Sequence, residues 1–378
     1  MPACRGVNTP PSPAPDCRGV YTSRSPAFNI HKMILFKEHT ADQLHELLAP
    51  LGVDERLARR LQSAVVRQSG GVPDELPEVR RDVLRRVREA TSIPRLHVVE
   101  KAVSPRDGFA KYLFAGDGVE PFEAVRIPLL HRPGDEKYIV CVSSQVGCAM
   151  GCAFCATGKM GFRRNLATWE IVDQVLHIRD DSPFPVRGVV FMGQGEPLLN
   201  YERVLRAAEV LSDPSGPAIS AKAITISTVG IAPMIRRYTR ERRPYRLIVS
   251  LTAADTEKRR TLLPVENTHG LSELMEAVRE YQEAVGGRMT FAWTLLQGIN
   301  TTEDDAKRLA ELTRGMPIIL DLIDVNDASG TFGTADETER EAFRDALTRH
   351  VGAPIVRRYS GGSDIHGACG MLASRRIG

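Results

Sequence analysis

The chain has 378 residues, 42% of them apolar and 26% charged, which fits a globular protein and excludes a collagenous or membrane-embedded one. Its net charge of +3 is too small to announce a nucleic-acid binder, so any such role must rest on local clusters. Seven cysteines, an odd number spread over a long chain, argue against a secreted disulfide framework and for thiol or metal chemistry in a reducing compartment. No apolar run approaches the roughly 20 residues that span a bilayer, and no signal-peptide pattern opens the chain. The expectation is a cytoplasmic protein, monomeric because nothing asks for an oligomer.

In chain order, residues 1–32 are rich in Pro, Ser and Gly, carry the near-repeat "PACRGV" and "PDCRGV", and read as a disordered extension in which Cys4 and Cys17 have no role. Met33 opens "MILFKEH", which reads as a domain start and a candidate initiation codon. Residues 33–95 predict a small helical accessory domain, with periodic apolar residues in "ADQLHELLAPLG", "DERLARRLQSAVVRQSGG" and "LPEVRRDVLRRVREA". Its nine arginines between Arg56 and Arg88 leave two readings open: solvated helix faces balanced by interleaved acids, or a nucleic-acid surface. Residues 96–133, around "KYLFAGDGVEPFEAVRIPLL", predict a β-rich connector. From 134 to 378, the strand-like runs "YIVCVSS", "GVVFMG", "AITIST", "RLIVSL", "MTFAWTLL" and "IILDLIDV" alternate with helical or polar connections. Repeated βα units predict an α/β fold whose parallel sheet curls into a full or partial barrel, with its site at the C-terminal strand ends.

One stretch stands at such an end. "GCAMGCAFCATGK" holds Cys148, Cys152 and Cys155 at C-x3-C-x2-C, with Cys141 seven residues upstream. A structural zinc site needs four protein ligands, and no second Cys pair lies near. Three thiolates on one tight loop suit a cubane [4Fe-4S] cluster with one iron left open for chemistry. The Gly and Ala spacers keep the loop exposed and compact, which argues against three inert packed thiols.

With Phe154 just before the last cysteine, this motif resembles the radical S-adenosylmethionine (SAM) superfamily. The stretch "CVSSQVGCAMGCAFCATGKMGFRRNL", together with "GQGEPLLN", "ISTVG", "VSLTA" and "DIHGACGML", resembles one branch of it, the dual-specificity RNA methyltransferases of the RlmN/Cfr type. The likeness runs from about Lys111 to Ala373. It implies a partial (β/α)6 barrel as the core over 134–378, one [4Fe-4S] cluster on Cys148, Cys152 and Cys155, and S-adenosyl-L-methionine as cofactor. Gly195 and Glu196 match the segment that receives the methionine amino group. Ser227, Ser250 and Asn326 match contacts to its ribose and carboxylate, and Leu251 and Thr252 complete the set. In the mechanism so implied, Cys369 is methylated and becomes the carbon donor to an adenine. Cys141 then attacks Cys369 to release the product as a disulfide forms, and Glu123 is the base.

This sequence departs from the family's pattern at several positions. Thr252 stands where the family has a histidine, Ala292 where it has an acid, Gly361 an arginine and Met371 a glutamine, while Asp324, Val325 and Asp327 replace the residues around Asn326. The family's target is an adenine of ribosomal RNA, methylated at C2 or C8, with transfer RNA a second target of some members and flavodoxin or ferredoxin as electron donor. The segment "RRYTRERRPYR", Arg236 to Arg246, has the composition of phosphate contacts with base stacking, or of a solvated charged face. Two other functions stay open: a radical SAM enzyme acting on a peptide or small molecule, which would not need Cys141 and Cys369 together, and a redox sensor, which would need the cluster alone.

Overall fold

The strand-like runs pair in the order in which they occur. A computed structural model describes residues 33–129, 134–327 and 329–373; Cys4, Cys17 and the expected disordered extension lie outside them. Ten strands form one sheet whose spatial order follows the chain: β1 (His97–Val103), β2 (Ala110–Ala115), β3 (Phe122–Leu129), β4 (Lys137–Cys141), β5 (Val186–Phe191), β6 (Ile224–Thr228), β7 (Arg246–Ser250), β8 (Met289–Leu295), β9 (Ile318–Asp324) and β10 (Ile355–Arg358). From β1 to β4 neighbours are antiparallel. From β4 to β10 all are parallel.

Parallel neighbours require crossovers, and six of them link β4 to β10, so the parallel part is a (β/α)6 unit that stays open because β1 and β10 do not pair. Strand β10 is absent from the sequence reading. Its "IVRR" carries two charges in four residues and is only partly buried, so it lacks the apolar run that marks the other parallel strands.

The crossover helices form for ordinary local reasons. In the helix Leu271–Val285, Leu271, Leu274, Met275, Val278 and Tyr281 bury one stripe. Thr302 caps Glu303–Leu312 in a capping box with Asp305, and Asp336 caps Glu337–His350. The N-terminal helices Ala41–Leu48, Glu55–Gln62 and Arg81–Ala90 contribute Leu44, Leu61 and Leu84 to the same apolar core as Val172 and Leu205 of the barrel helices. Buried Lys37 pairs with Asp173 on the helix Thr168–Asp180, whose other carboxylate oxygen accepts the Leu96 N–H at 2.7 Å. The segment 33–95 therefore sits on the barrel's flank by polar contacts as well as packing. The strands read as a connector extend the barrel's own sheet through β3 and β4.

Candidate active site

The cluster loop leaves β4 and is held by its own backbone. Gly147 has φ 69°, and a Cβ there would lie 1.8 Å from the Gly161 carbonyl oxygen, so only glycine lets the two ends of the loop approach. The Cys148 N–H donates to that same oxygen at 3.2 Å, and the Cys155 N–H donates to the Cys152 carbonyl at 3.1 Å. Cys155 then caps the short helix Ala156–Met160. Phe154 meets Phe332 edge-on at 6.4 Å, which braces the loop against the segment after β9. In that segment Asp327 accepts N–H groups of Ser329, Thr331 and Phe332 and pairs with Lys159 of the short helix. Burial would raise its pKa, but these bonds win and hold it at about 2.

Cys148, Cys152 and Cys155 line one wall of a cavity of about 1030 Å³ that opens to solvent. Gly195, Glu196, Ser227, Ser250, Thr252, Asn326 and Cys369 are among the other residues that line it. Ser227 and Ser250 stand on adjacent strands with their hydroxyls 3.5 Å apart, and Ala292 pairs with Ser250 one strand further on. Leu251 is fully buried and backs the wall rather than facing the space. Gly195 has φ 99°, and a Cβ there would strike Gln145 at 2.6 Å. Glu196 is fixed through both carboxylate oxygens, by the Leu198 N–H at 3.0 Å and the Val229 N–H at 2.9 Å. Desolvation raises its pKa to about 7 in spite of those bonds, an environment that favours a cationic partner.

Thr252 adopts φ 59°, a left-handed conformation strained for a β-branched residue. Its carbonyl accepts from Asn300 Nδ2 at 2.7 Å and its N–H donates to the Ala292 carbonyl at 3.4 Å, so its backbone already serves the fold. Asn326 likewise spends its amide nitrogen on the C-terminal loop, donating to Ser360 Oγ at 2.8 Å and the Cys369 carbonyl at 3.4 Å.

The donor set fits an iron–sulfur cluster. Burial pushes the Cys148 thiol up to about 12 and raises Cys152 as well, with the neighbouring thiols adding to both, so a cationic group between them would favour these two thiolates. Arg259 lies fully buried close enough to Cys152 to favour its thiolate, and its Nη1 has no hydrogen-bond partner among the described residues. Among those residues no three His, Cys, Asp or Glu side chains gather as ligands of a single metal ion. A cubane asks its thiolates to surround a space rather than a point.

A second cavity, of about 530 Å³, shares Cys155, Met192, Gly193, Cys369 and Gly370 with the first. Cys141, at the end of β4, lines it together with Cys369. Both thiols are free; Cys141 is buried, which pushes its thiol up, with Cys369 the next largest cause, while Cys369 itself is exposed. The loop carrying Cys369 is docked on the cluster helix, where the Ala156 N–H donates to the Gly370 carbonyl and the Thr157 hydroxyl to the Leu372 carbonyl, each at 2.7 Å. Gly370, at φ 84°, makes the turn. Arg358 of the unforeseen β10 lines the first cavity, its guanidinium held by Asp321 at 2.6 Å and favouring both thiolates. It is the main functional candidate the sequence did not disclose, since "IVRR" has no strand signature.

Glu123 falls outside both cavity walls. It shares a sheet face with Val125, the register partner of Cys141, but is fully buried against Lys111 at 3.0 Å and accepts the Ala373 N–H at 2.8 Å. The segment Arg236–Arg246 does not have the form expected for RNA contacts. Tyr238 and Tyr245 are buried, and Arg236, Arg237 and Arg243 are each paired with two or three glutamates, because the helix Ala232–Arg240 packs its aromatic face inward and its cations meet acids on neighbouring helices.

This fold and this pair of cavities define a radical SAM enzyme, and the radical SAM superfamily model matches residues 142–312. A crystal structure of a radical SAM methyltransferase from Sphaerobacter thermophilus superposes with a TM-score of 0.81 at 33% identity, covering 90% of this chain and 100% of that one. A probable RNA methyltransferase of Myxococcus xanthus is 46% identical over 90% of this chain and 95% of its own length. The dual-specificity RNA methyltransferase RlmN of Syntrophobacter fumaroxidans is 39% identical over 90% and 98%. The chain belongs to the RlmN-type family of radical SAM RNA methyltransferases. Among the described residues no helix is long and apolar enough to cross a membrane.

Proposed function

We propose that this protein methylates an adenine carbon, C2 or C8, in ribosomal RNA, with transfer RNA as a second target and Cys369 as the carrier of the methyl carbon. The observation that carries the reading is that Cys141 and Cys369 line one cavity and that Cys369 also lines the cavity of the cluster cysteines. A peptide- or small-molecule-directed enzyme of the same fold would have no use for that juxtaposition. Cluster and S-adenosylmethionine, when bound, supply a methyl group and one-electron hydrogen abstraction. Cys148, Cys152 and Cys155 would hold the cluster, Gly195 and Glu196 the methionine ammonium, and Ser227 and Ser250 the polar edge of the cofactor.

Cys369, in the shared wall, receives the methyl group on one side and presents it to the base on the other. The Cys141 thiolate attacks the sulfur of Cys369: the S–S bond forms, the bond from that sulfur to the transferred carbon breaks, and the carbon leaves with the electron pair and takes up a proton as the methyl group of the base. Glu123 takes the proton from the base carbon, which requires Ala373 to move off its carboxylate. A low-potential one-electron donor such as flavodoxin or ferredoxin serves the cluster, and a monomer in the cytoplasm suffices for the chemistry. Mass spectrometry of the Cys369 peptide, from chain expressed with iron–sulfur assembly support, should show one added methyl or methylene. An unmodified Cys369 in cluster-loaded protein given S-adenosylmethionine would overturn the carrier role.

A further inference from the structure

The second cavity carries a feature that the thiol chemistry does not use. At its rim Tyr359 is 73% exposed, an unusual state for a ring that is nevertheless held in place. Its hydroxyl donates to Asp107 Oδ2 at 3.1 Å, and that carboxylate also accepts the Gly362 N–H at 2.9 Å and the Phe109 N–H at 3.2 Å. The ring edge meets Phe109, a wall of the same cavity, at 6.1 Å and 70°. Gly361 is what lets these groups close. A Cβ there would fall 2.4 Å from Phe109, 2.5 Å from Asp107 and 2.7 Å from Tyr359. Gly361 departs from the arginine that the resemblance implies there, and the space a side chain would need is filled by the Phe109–Tyr359 pair.

We propose that the rim of the two-thiol cavity is a base-stacking site, with the exposed face of Tyr359 as the platform for the target purine of a single-stranded RNA. This rests on the RNA methylation reading above and adds where the base lies and which residue receives it. A base directed toward Cys369 must leave its stack, and an aromatic face recovers what unstacking loses. A ring already oriented by Asp107 and Phe109 gives up little freedom on binding. Arg106, exposed, close enough to act on the Tyr359 hydroxyl, and in no ion pair among the described residues, supplies a cation for the adjoining phosphate.

Fluorescence anisotropy tests this with a labelled single-stranded oligoadenylate and the same oligonucleotide made abasic, each titrated with cluster-loaded full chain. Tyr359→Ala should weaken the oligoadenylate roughly 5- to 100-fold, the loss of one stacked base, and leave the abasic chain unchanged. Tyr359→Phe, which keeps the ring, should stay within about threefold of the unsubstituted protein. Equal losses on both oligonucleotides, no loss, or an unsubstituted protein that binds both alike would each overturn the platform. Transfer of labelled methyl to RNA by the unsubstituted protein, measured in parallel, separates the two ideas. Transfer that Tyr359→Ala does not impair counts against the platform alone, whereas no transfer removes the methylation reading beneath it.

Discussion

The cofactor half and the thiol half of the site are built in different ways. Around Cys148, Glu196, Ser227 and Ser250, the groups sit on strand ends or on glycine turns with no room for a side chain, and backbone N–H groups hold the Glu196 carboxylate. Around Cys369 the loop from Tyr359 to Ala373 hangs on separate hydrogen bonds, donated by Thr157 and Asn326 and accepted by Asp107 and Glu123. The departures from the family's pattern fall in both halves: Gly361 and Met371 in this loop, Thr252, Ala292 and Val325 in the wall of the cofactor cavity. The lesson is that strand ends and backbone groups fix the cofactor half, whereas side-chain hydrogen bonds fix the thiol half.

The largest test of that division is Cys148→Ala. It should abolish iron–sulfur absorbance and lower both cofactor cleavage and RNA methylation on the order of 10⁴-fold or more, read by optical spectroscopy and 5′-deoxyadenosine release; retained cleavage would refute the ligand assignment. Cys141→Ala, in the other half, should leave cofactor cleavage intact while turnover falls on the order of 10²-fold or more and a covalent protein–RNA species builds up on denaturing gels. Free turnover by this variant would remove Cys141 from the release step.

A smaller effect concerns pH. Burial first, and Cys369 next, raise the Cys141 pKa, so at neutral pH the thiol is protonated and the attacking thiolate grows as pH rises. Single-turnover decay of the covalent species should therefore accelerate by up to about tenfold per pH unit above neutrality; a flat profile would mean that something other than thiolate formation limits release. The smallest effect is Thr157→Val, which deletes the hydroxyl bonded to the Leu372 carbonyl. It should cost about 1 kcal/mol locally and speed hydrogen exchange across residues 366–373 about fivefold, with the cluster loop unchanged. Matching acceleration across residues 147–161 would show that the two halves are not separable.

Much of this is legible in the sequence. Six parallel strands announced themselves as β-branched runs, and Cys148, Cys152 and Cys155 fell on the loop after the first of them. The resemblance placed Gly195, Ser227, Ser250, Asn326 and Cys369, and all line one cavity. The strand bearing Arg358 was not legible, because a short edge strand with two arginines carries no periodic signal. For Arg236–Arg246 the sequence left two readings open, because composition does not say which face of a helix is inward or what acids the next helix presents.

By itself, then, the sequence determined what is local: the cysteine spacing, the glycines that let the loop close, and the alternation that makes a parallel barrel. These depend on bond geometry and periodicity within a few residues. Only the tertiary structure decided that Cys369 faces two cavities, that Lys111 and Ala373 enclose Glu123, and that Gly361 makes room for Phe109 beside Tyr359. Each joins residues far apart in the chain, and such a meeting is set by how whole strands and loops pack rather than by any pattern along them.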